Sequence, residues 1–240
     1  MMGHWQERTE LLVGQEGLDK LGNAHVLIIG VGGVGGFAAE AIARAGVGKI
    51  TIVDGDTVEQ SNRNRQIAAL ISTDNQPKAS VIGNRIKDIN PNAQLEIREE
   101  YLDGENIEAL LSAHPYDYVI ECIDTLQPKI SVIETAISKK LRIISSMGAG
   151  GRMDPTQTKV SRLKDSYNCN LAKMIRKRIK AKSVKRKLKV VFSPELIDKS
   201  KVKEVNGVKH KRSTIGTISY MPAVFGLTCA SVAIRDIVEN

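Results

Sequence analysis

At 240 residues, with 42% hydrophobic and 26% charged residues, the chain holds one large α/β domain, or one domain with an elaborated insertion, around a sizeable core. Its three cysteines, Cys122, Cys169 and Cys229, form no C-x-x-C pair, which argues against a zinc knuckle or a disulfide framework and fits a reducing compartment. The net charge of +8 is uneven: residues 159–212 carry nineteen Lys and Arg against four acids, a net of +15, leaving the remainder near −7.

The first residues, Met1-Met-Gly-His-Trp-Gln-Glu-Arg8, lack the basic-then-apolar pattern of a signal peptide, and a cytoplasmic location is expected. An amphipathic helix is predicted around residues 11–21. Alternating strand and helix patterns follow: strand 25–30, helix 33–45, strand 49–54, a loop over 55–71, helix 76–89, strand 94–98, helix 104–112, strand 118–122, helix 127–139 and strand 142–145. This βαβ alternation predicts a Rossmann-like, doubly wound, mostly parallel sheet over residues 1–150. Residues 148–155 read as a turn-rich hinge. Beyond it, residues 151–240 read as a basic α+β insertion with short strands at 158–162 and 188–192, an exposed loop over 200–212 and a C-terminal helix packing back on the sheet.

The segment His25-Val-Leu-Ile-Ile-Gly-Val-Gly-Gly-Val-Gly-Gly-Phe37 carries the most chemistry. An apolar strand enters a glycine-rich turn that opens an Ala-rich helix. Gly30, Gly32 and Gly35 match G-x-G-x-x-G: one glycine for the tight turn, one for close approach to a phosphate, one for helix–strand packing. The helix N-terminus then offers free N–H groups and a positive dipole end. Asp54 closes the next strand 24 residues after Gly30, where a carboxylate meets a ribose hydroxyl. These features predict a nucleotide site; taken alone, they favour a dinucleotide such as NAD(P), and a purely turn-forming role for the glycines is the bland reading.

Residues 173–189 contain ten positive residues and no acid. A solvated helix face usually alternates charge sign, and this one does not. The block reads as a footprint for a polyanion, RNA or DNA before anionic lipid, against the alternative of a merely basic loop. It holds no aromatic residue, which points to phosphate contact in place of base stacking. Residues 213–234 carry no charge. That is enough length to cross a bilayer, but Gly216, Pro222, Gly226 and the Ser and Thr residues favour a buried helix from about 222 to 238, and no membrane partner is expected.

After Asp54 the chain reads Ser61-Asn-Arg-Asn-Arg-Gln66, then Gln76-Pro-Lys78, then Glu121-Cys-Ile-Asp124. With Gly30, Gly32, Gly33 and Gly35 as G-x-G-G-x-G, this ordered set resembles the ubiquitin-activating-enzyme-like adenylating superfamily that includes MoeB and ThiF. The resemblance displaces the NAD(P) reading and implies ATP and Mg2+. Arg65 and Lys78 would hold phosphates, one as a planar fork and one as a point charge. Asn62 would donate to a phosphate oxygen, Asp54 would hold the ribose, and Asp124 would ligate magnesium, a hard cation that prefers carboxylate oxygen. Arg8 is similar to the family arginine that reaches a partner subunit's ATP site, which implies a homodimer. Singly, each residue has a structural reading: Asp124 as a helix N-cap, Arg63 or Arg65 in a surface ion pair, Cys122 in the core. Cys169, in the basic insertion, reads as a surface thiol.

The paired C-x-x-C motifs usual in MoeB-like and ThiF-like enzymes are absent. The second half, with Gly148-Ala-Gly-Gly-Arg-Met-Asp-Pro-Thr156, the basic helix after Cys169, and Val191-Phe-Ser-Pro-Glu195, resembles the tRNA threonylcarbamoyladenosine dehydratase branch. Where that branch would have Asp-Pro-Leu, this chain has Cys169-Asn-Leu171. The resemblance implies ATP-dependent cyclisation of threonylcarbamoyladenosine in tRNA through an acyl-adenylate, and leaves room for a sulfur-transfer protein partner. The alternative is an adenylyltransferase for the C-terminal Gly-Gly of a ubiquitin-like sulfur carrier; a non-catalytic RNA-binding protein and a dinucleotide-dependent redox protein are the readings from other classes.

Overall fold

The structure, a computed structural model, describes residues 5–179, 184, 187–204 and 213–239. A kinked helix α1 (Glu7–Asn23) leads into β1 (His25–Ile29), α2 (Gly35–Arg44), β2 (Lys49–Val53), α3 (Lys78–Ile89), β3 (Gln94–Arg98), α4 (Gly104–Ser112), β4 (Tyr118–Glu121), α5 (Leu126–Ser138) and β5 (Ile143–Ser146). Next come β6 (Lys159–Arg162), α6 (Asn170–Arg178), β7 (Lys189–Phe192), β8 (Val202–Glu204), β9 (Ser213–Ile215) and α7 (Tyr220–Val238). Seven strands form one sheet in the order β3-β2-β1-β4-β5-β7-β6. All neighbours are parallel except β6 and β7. The doubly wound, mostly parallel α/β sheet expected from the sequence is therefore present, and β6 and β7 extend it with no break at residue 150.

Alternation along each strand sorts the core into two layers. Val26, Ile28, Ile50, Ile52 and Ile120 face α2, α3 and α7, whereas Leu27, Ile29, Val53 and Val119 face α4, α5 and α6. Strands β1 and β4 sit at the centre, apolar on both faces, as parallel strands covered by helices must be.

The uncharged C-terminal stretch begins as β9 and becomes helix α7 only at Tyr220. Of the described helices, α7 alone is long and apolar enough to cross a membrane by length and composition. Here it is a core helix. Met221, Phe225, Cys229 and Ile237 are buried against α2 and the sheet, and a Cβ added to Gly226 would lie 2.1 Å from the Val34 carbonyl oxygen of α2's N-terminal turn. Each large apolar side chain buried this way contributes about 1.5–3 kcal/mol.

Three expectations are corrected. The N-terminal helix is broken by Gly14 at φ +72° and ψ +170°, a conformation closed to most other residues. The loop expected over 200–212 includes β8, which pairs antiparallel with β9 through Val202↔Ile215; residues 205–212 lie outside the described residues. Cys169 is buried, 4% exposed, beside Ala172 and Ile175 in the layer under α6. It is no surface thiol: it precedes the helix on its inward face.

Candidate active site

The chain leaves β1 through β3 to one side and resumes at β4 on the other, so the topological switch point lies between β1 and β4. Ligands of open α/β sheets bind in the crevice beyond the carboxyl ends of the strands at that point. A cavity of about 310 Å3 opens there, lined by Gly30, Gly32, Gly33, Asp54, Arg65, Lys78 and Asp124 among others.

The glycine turn is shaped by what cannot be present. Gly30 has φ +81°, and a Cβ on Gly35 would sit 1.8 Å from the Gly30 carbonyl oxygen. The third glycine is thus fixed by strand–helix contact. At Gly32 the nearest atoms to an added Cβ belong to the Gln66 side chain at 3.8 Å, so its backbone faces open cavity. That leaves the N-terminus of α2 free to meet an anion.

Asp54 follows β2 and does two things. Its Oδ2 accepts the Val31 N–H at 2.7 Å, fixing the glycine turn, and its Oδ1 accepts the Asp56 N–H at 2.9 Å. Burial pushes the Asp54 carboxyl up, against these backbone hydrogen bonds and the nearby charge of Lys78. Lys78 opens α3, is 6% exposed, and donates from Nζ to Asp56 Oδ2 at 2.8 Å. Tyr101 donates its hydroxyl proton to the other Asp56 oxygen at 2.9 Å. Asp56, absent from the sequence reading, therefore sets the position of Lys78; its signal was the acid pair in Asp54-Gly-Asp56.

Arg65 reaches the cavity from the loop after β2, donating from Nη1 to the Ser61 carbonyl at 2.9 Å and to Asn64 Oδ1 at 2.8 Å. Its neighbour Arg63 pairs with Asp74 instead, so the surface-pair reading holds for Arg63 and not for Arg65. Asn62 does not line the cavity. It is buried, its Oδ1 accepts the Glu59 N–H at 3.2 Å, and its carbonyl accepts the Arg65 and Gln66 N–H groups. The structure places Asn62 as the pivot of the turn that presents Arg65. Arg8 is exposed in the first turn of α1 and does not line this chain's cavity.

Asp124 is exposed at the cavity wall, with no hydrogen-bond or ion-pair partner among the described residues. It does not cap α5, whose N-cap is Thr125 with no side-chain cap bond. Behind it lies a pair the sequence reading missed. Glu121 and Lys129 are both 0% exposed and meet at 2.6 Å. Glu121 also accepts the Ile123 N–H at 2.8 Å and the Ser145 hydroxyl at 2.5 Å. Lys129 donates to the Ile123 carbonyl at 2.9 Å. The ion pair thus grips the peptide units flanking Ile123 and fixes the backbone entering Asp124. Burial raises the Glu121 carboxyl, with Lys129 opposing it. An acid closing the apolar run Tyr118-Val-Ile-Glu121 was the available signal.

Among the described residues no cluster of three His, Cys, Asp or Glu side chains is arranged to hold a metal ion. A single unpartnered carboxylate beside a phosphate-sized glycine cradle does suit magnesium, which is commonly held by one or two carboxylates, substrate phosphates and water.

Helix α6 begins at the same rim, since Leu171 lines the cavity. Ala172 and Ile175 are buried while Lys173, Lys177 and Arg178 are exposed. Arg176 turns inward, donating to the Ser166 carbonyl at 2.7 Å, and so braces the preceding turn. Residues 180–183 and 185–186 of the basic block lie outside the described residues.

Fold and site together define a Rossmann-like nucleotide-binding domain whose switch-point cavity is lined by Arg65, Lys78 and Asp124. The ThiF family model matches residues 6–240, and the chain belongs to that family. A tRNA threonylcarbamoyladenosine dehydratase of Bacillus subtilis (strain 168) is 35% identical over 246 residues, covering 100% of this chain and 96% of the relative. The structure of the Escherichia coli tRNA N6-threonylcarbamoyladenosine dehydratase in complex with ATP superposes with a TM-score of 0.88 at 32% identity, covering 98% of this chain and 95% of that one. By contrast, the Escherichia coli (strain K12) sulfur carrier protein ThiS adenylyltransferase is 34% identical over 140 residues, 58% of this chain and 55% of the relative.

Proposed function

We propose that this chain is an ATP-dependent enzyme that cyclises threonylcarbamoyladenosine in tRNA with net loss of water. The observation that carries the reading is the placement of α6: the helix begins at the wall of the nucleotide cavity and exposes Lys173, Lys177 and Arg178 beyond it. A polyanion lying on that helix brings a nucleoside to the nucleotide's phosphates. The relatives that match over the full chain carry that activity in their names.

The chemistry follows from charge. The threonyl carboxylate attacks the α-phosphorus of ATP, forming the acyl–phosphate bond as pyrophosphate leaves. The carbamoyl group of the same nucleoside then attacks the activated carbonyl, displacing AMP and closing the ring with loss of a proton. Both reacting groups come from the substrate, so the enzyme's work is positioning and electrostatic stabilisation. Asp54 takes the ribose hydroxyls, while the α2 N-terminus and the Gly32 backbone take phosphate oxygens. Arg65 and Lys78 neutralise the charge that builds on the phosphate chain. Asn62 acts through Arg65 by holding its turn. Magnesium, when bound, neutralises phosphate charge, and Asp124 would hold it.

Arg8 on exposed α1 is suited to reach the cavity of a second copy, giving a homodimer. A cytoplasmic location is compatible with a tRNA substrate, and a sulfur-transfer protein is a candidate partner.

The test is to incubate the protein with ATP, magnesium and tRNA bearing threonylcarbamoyladenosine, digest the tRNA and weigh its nucleosides. ATP-dependent loss of one water from that nucleoside is expected. No mass change, with pyrophosphate released only on addition of a Gly-Gly-tailed protein, would overturn the reading in favour of the sulfur-carrier activity.

A further inference from the structure

A second cavity, of about 290 Å3, lies at the other end of the sheet. The nucleotide cavity takes residues from the carboxyl ends of β1, β2 and β5, whereas this one takes Tyr118, Ile143 and Lys189, the first residues of β4, β5 and β7. A four-residue strand at about 3.3 Å per residue separates its first and last residues by roughly 10 Å. They are distinct sites.

Five cationic residues, Lys140, Arg142, Arg162, Lys187 and Lys189, line it against one acid, Asp236. Part of this charge is used internally. Lys189 pairs with Asp236 at 2.5 Å, and Arg142 donates to the Asp236 carbonyl at 2.6 Å and to the Asp117 carbonyl at 3.1 Å. The Arg142 guanidinium also lies over the Tyr118 ring, 5.5 Å from its centre. Complementing the carboxyl end of α7 accounts for these two. It does not account for the other three. Arg162 reaches in from β6 with one nitrogen donating to the Lys187 carbonyl at 2.5 Å, and the ammonium groups of Lys140 and Lys187 have no partner among the described residues. Lys140 is also the residue after α5's C-cap, at φ +61°, with its N–H on the Ile137 carbonyl and the Leu141 N–H on the Ala136 carbonyl. Glycine is the usual occupant of that position. A lysine held there against its backbone preference, lining a cavity with four other cations, indicates a use for its charge.

We infer that this cavity is a phosphate site for the RNA substrate, taking a backbone phosphodiester remote from the reacting nucleoside. Arg142 and Lys189 form a fixed floor, with Arg162, Lys140 and Lys187 closing around the anion from the rim. Three of the five, Arg162, Lys187 and Lys189, belong to the same +15 segment that exposes α6 beside the nucleotide. Strand β7 carries the connection from one end of the sheet to the other, so a single RNA running along the β6–β7 edge meets both. This inference rests on the tRNA reading above.

The test uses the whole chain carrying Lys140→Asn or Lys187→Glu, neither of which touches the nucleotide machinery. Thermal stabilisation by ATP should match wild type. Affinity for tRNA should fall, by about tenfold for Lys187→Glu, and the slope of log K against log salt should become less negative by about 1. Lys140→Asn discriminates further, because Asn tolerates positive φ: the variant should be no less stable than wild type and still bind tRNA more weakly. Wild-type affinity and salt slope in both variants would overturn the site. Stabilisation by inorganic tripolyphosphate that both variants lose while tRNA binding stays intact would also overturn it, assigning the cavity to a small phosphorylated ligand. Absence of tRNA binding by wild type, with ATP stabilisation retained, would overturn the function reading itself.

Discussion

The buried Glu121–Lys129 pair gives the sharpest quantitative test of the site's construction. Lys129→Met removes the ammonium while keeping most of the stem. Both side chains are 0% exposed, so the orphaned carboxylate cannot turn to solvent. Breaking such a pair from one side costs about 3–5 kcal/mol. Glu121 keeps its hydrogen bonds from Ile123 N–H and Ser145 Oγ, which places the expectation at the lower end, about 3 kcal/mol. The pH dependence has a fixed sign. Burial already raises the Glu121 carboxyl, and Lys129 is the main influence lowering it; the variant raises it further. A carboxyl with a folded-state pKa above its unfolded value makes the folded state bind the extra proton. Stability is therefore retained below the unfolded carboxylate range and lost as pH rises through the folded value.

Urea unfolding followed by far-ultraviolet circular dichroism, at pH 5 and pH 8, measures the deficit as a shift in midpoint at constant m. The gap from wild type should widen from the acid to the alkaline measurement, and Glu121→Gln added to Lys129→Met should recover part of it at pH 8. A Lys129→Met loss under about 0.5 kcal/mol at pH 8, the range of a neutral surface change, would refute the reasoning. So would a loss independent of pH, since the cost would then lie in packing.

Gly35→Ala should abolish stabilisation by ATP in a thermal-shift assay, because its Cβ would fall 1.8 Å from the Gly30 carbonyl oxygen and the turn must open. Cys169 should resist a thiol reagent in the native protein and label only on unfolding, read by peptide mass mapping, because it is buried under α6. Within α6, Lys177→Glu should leave the urea midpoint within about 0.5 kcal/mol of wild type and weaken tRNA binding. Arg176→Glu should instead destabilise the fold, because Arg176 braces the Ser166 turn.

Strands β1, β2 and β4 were legible because they are buried on both faces and read as apolar runs ended by glycine or an acid. The boundaries moved by a residue or two for a functional reason. Gly30, Asp54 and Cys122 were assigned to strand ends, and all three leave the strands to line the cavity. The β8–β9 pair was not legible. Three residues per strand give too little alternation to detect, and the segment between them is charged. Cys169 was misread from its place in the basic insertion, although 169, 172, 175 and 179 recur at spacings of three to four and all four are buried. That apolar stripe was a better guide to burial than local charge.

The site residues divide along a related physical line. Motif order identified the segments that meet at the switch point, but it carries no information on side-chain direction. Asn62 and Arg65 sit in one motif, yet one turns into the loop and the other toward the cavity. Lys129 belongs to no motif, and only β4 packing on α5 reveals that it secures the backbone before Asp124. The acidic first half builds a site for a nucleotide, and the +15 second half supplies cations at both ends of the same sheet. Because β7 pairs with β5 and Met147 donates its N–H to the Val191 carbonyl at 2.8 Å, the basic half shares backbone hydrogen bonds with the 147–150 turn that walls the cavity. On the proposed reading, RNA held along the sheet edge would be registered, through one continuous ladder, against the residues that line the nucleotide cavity.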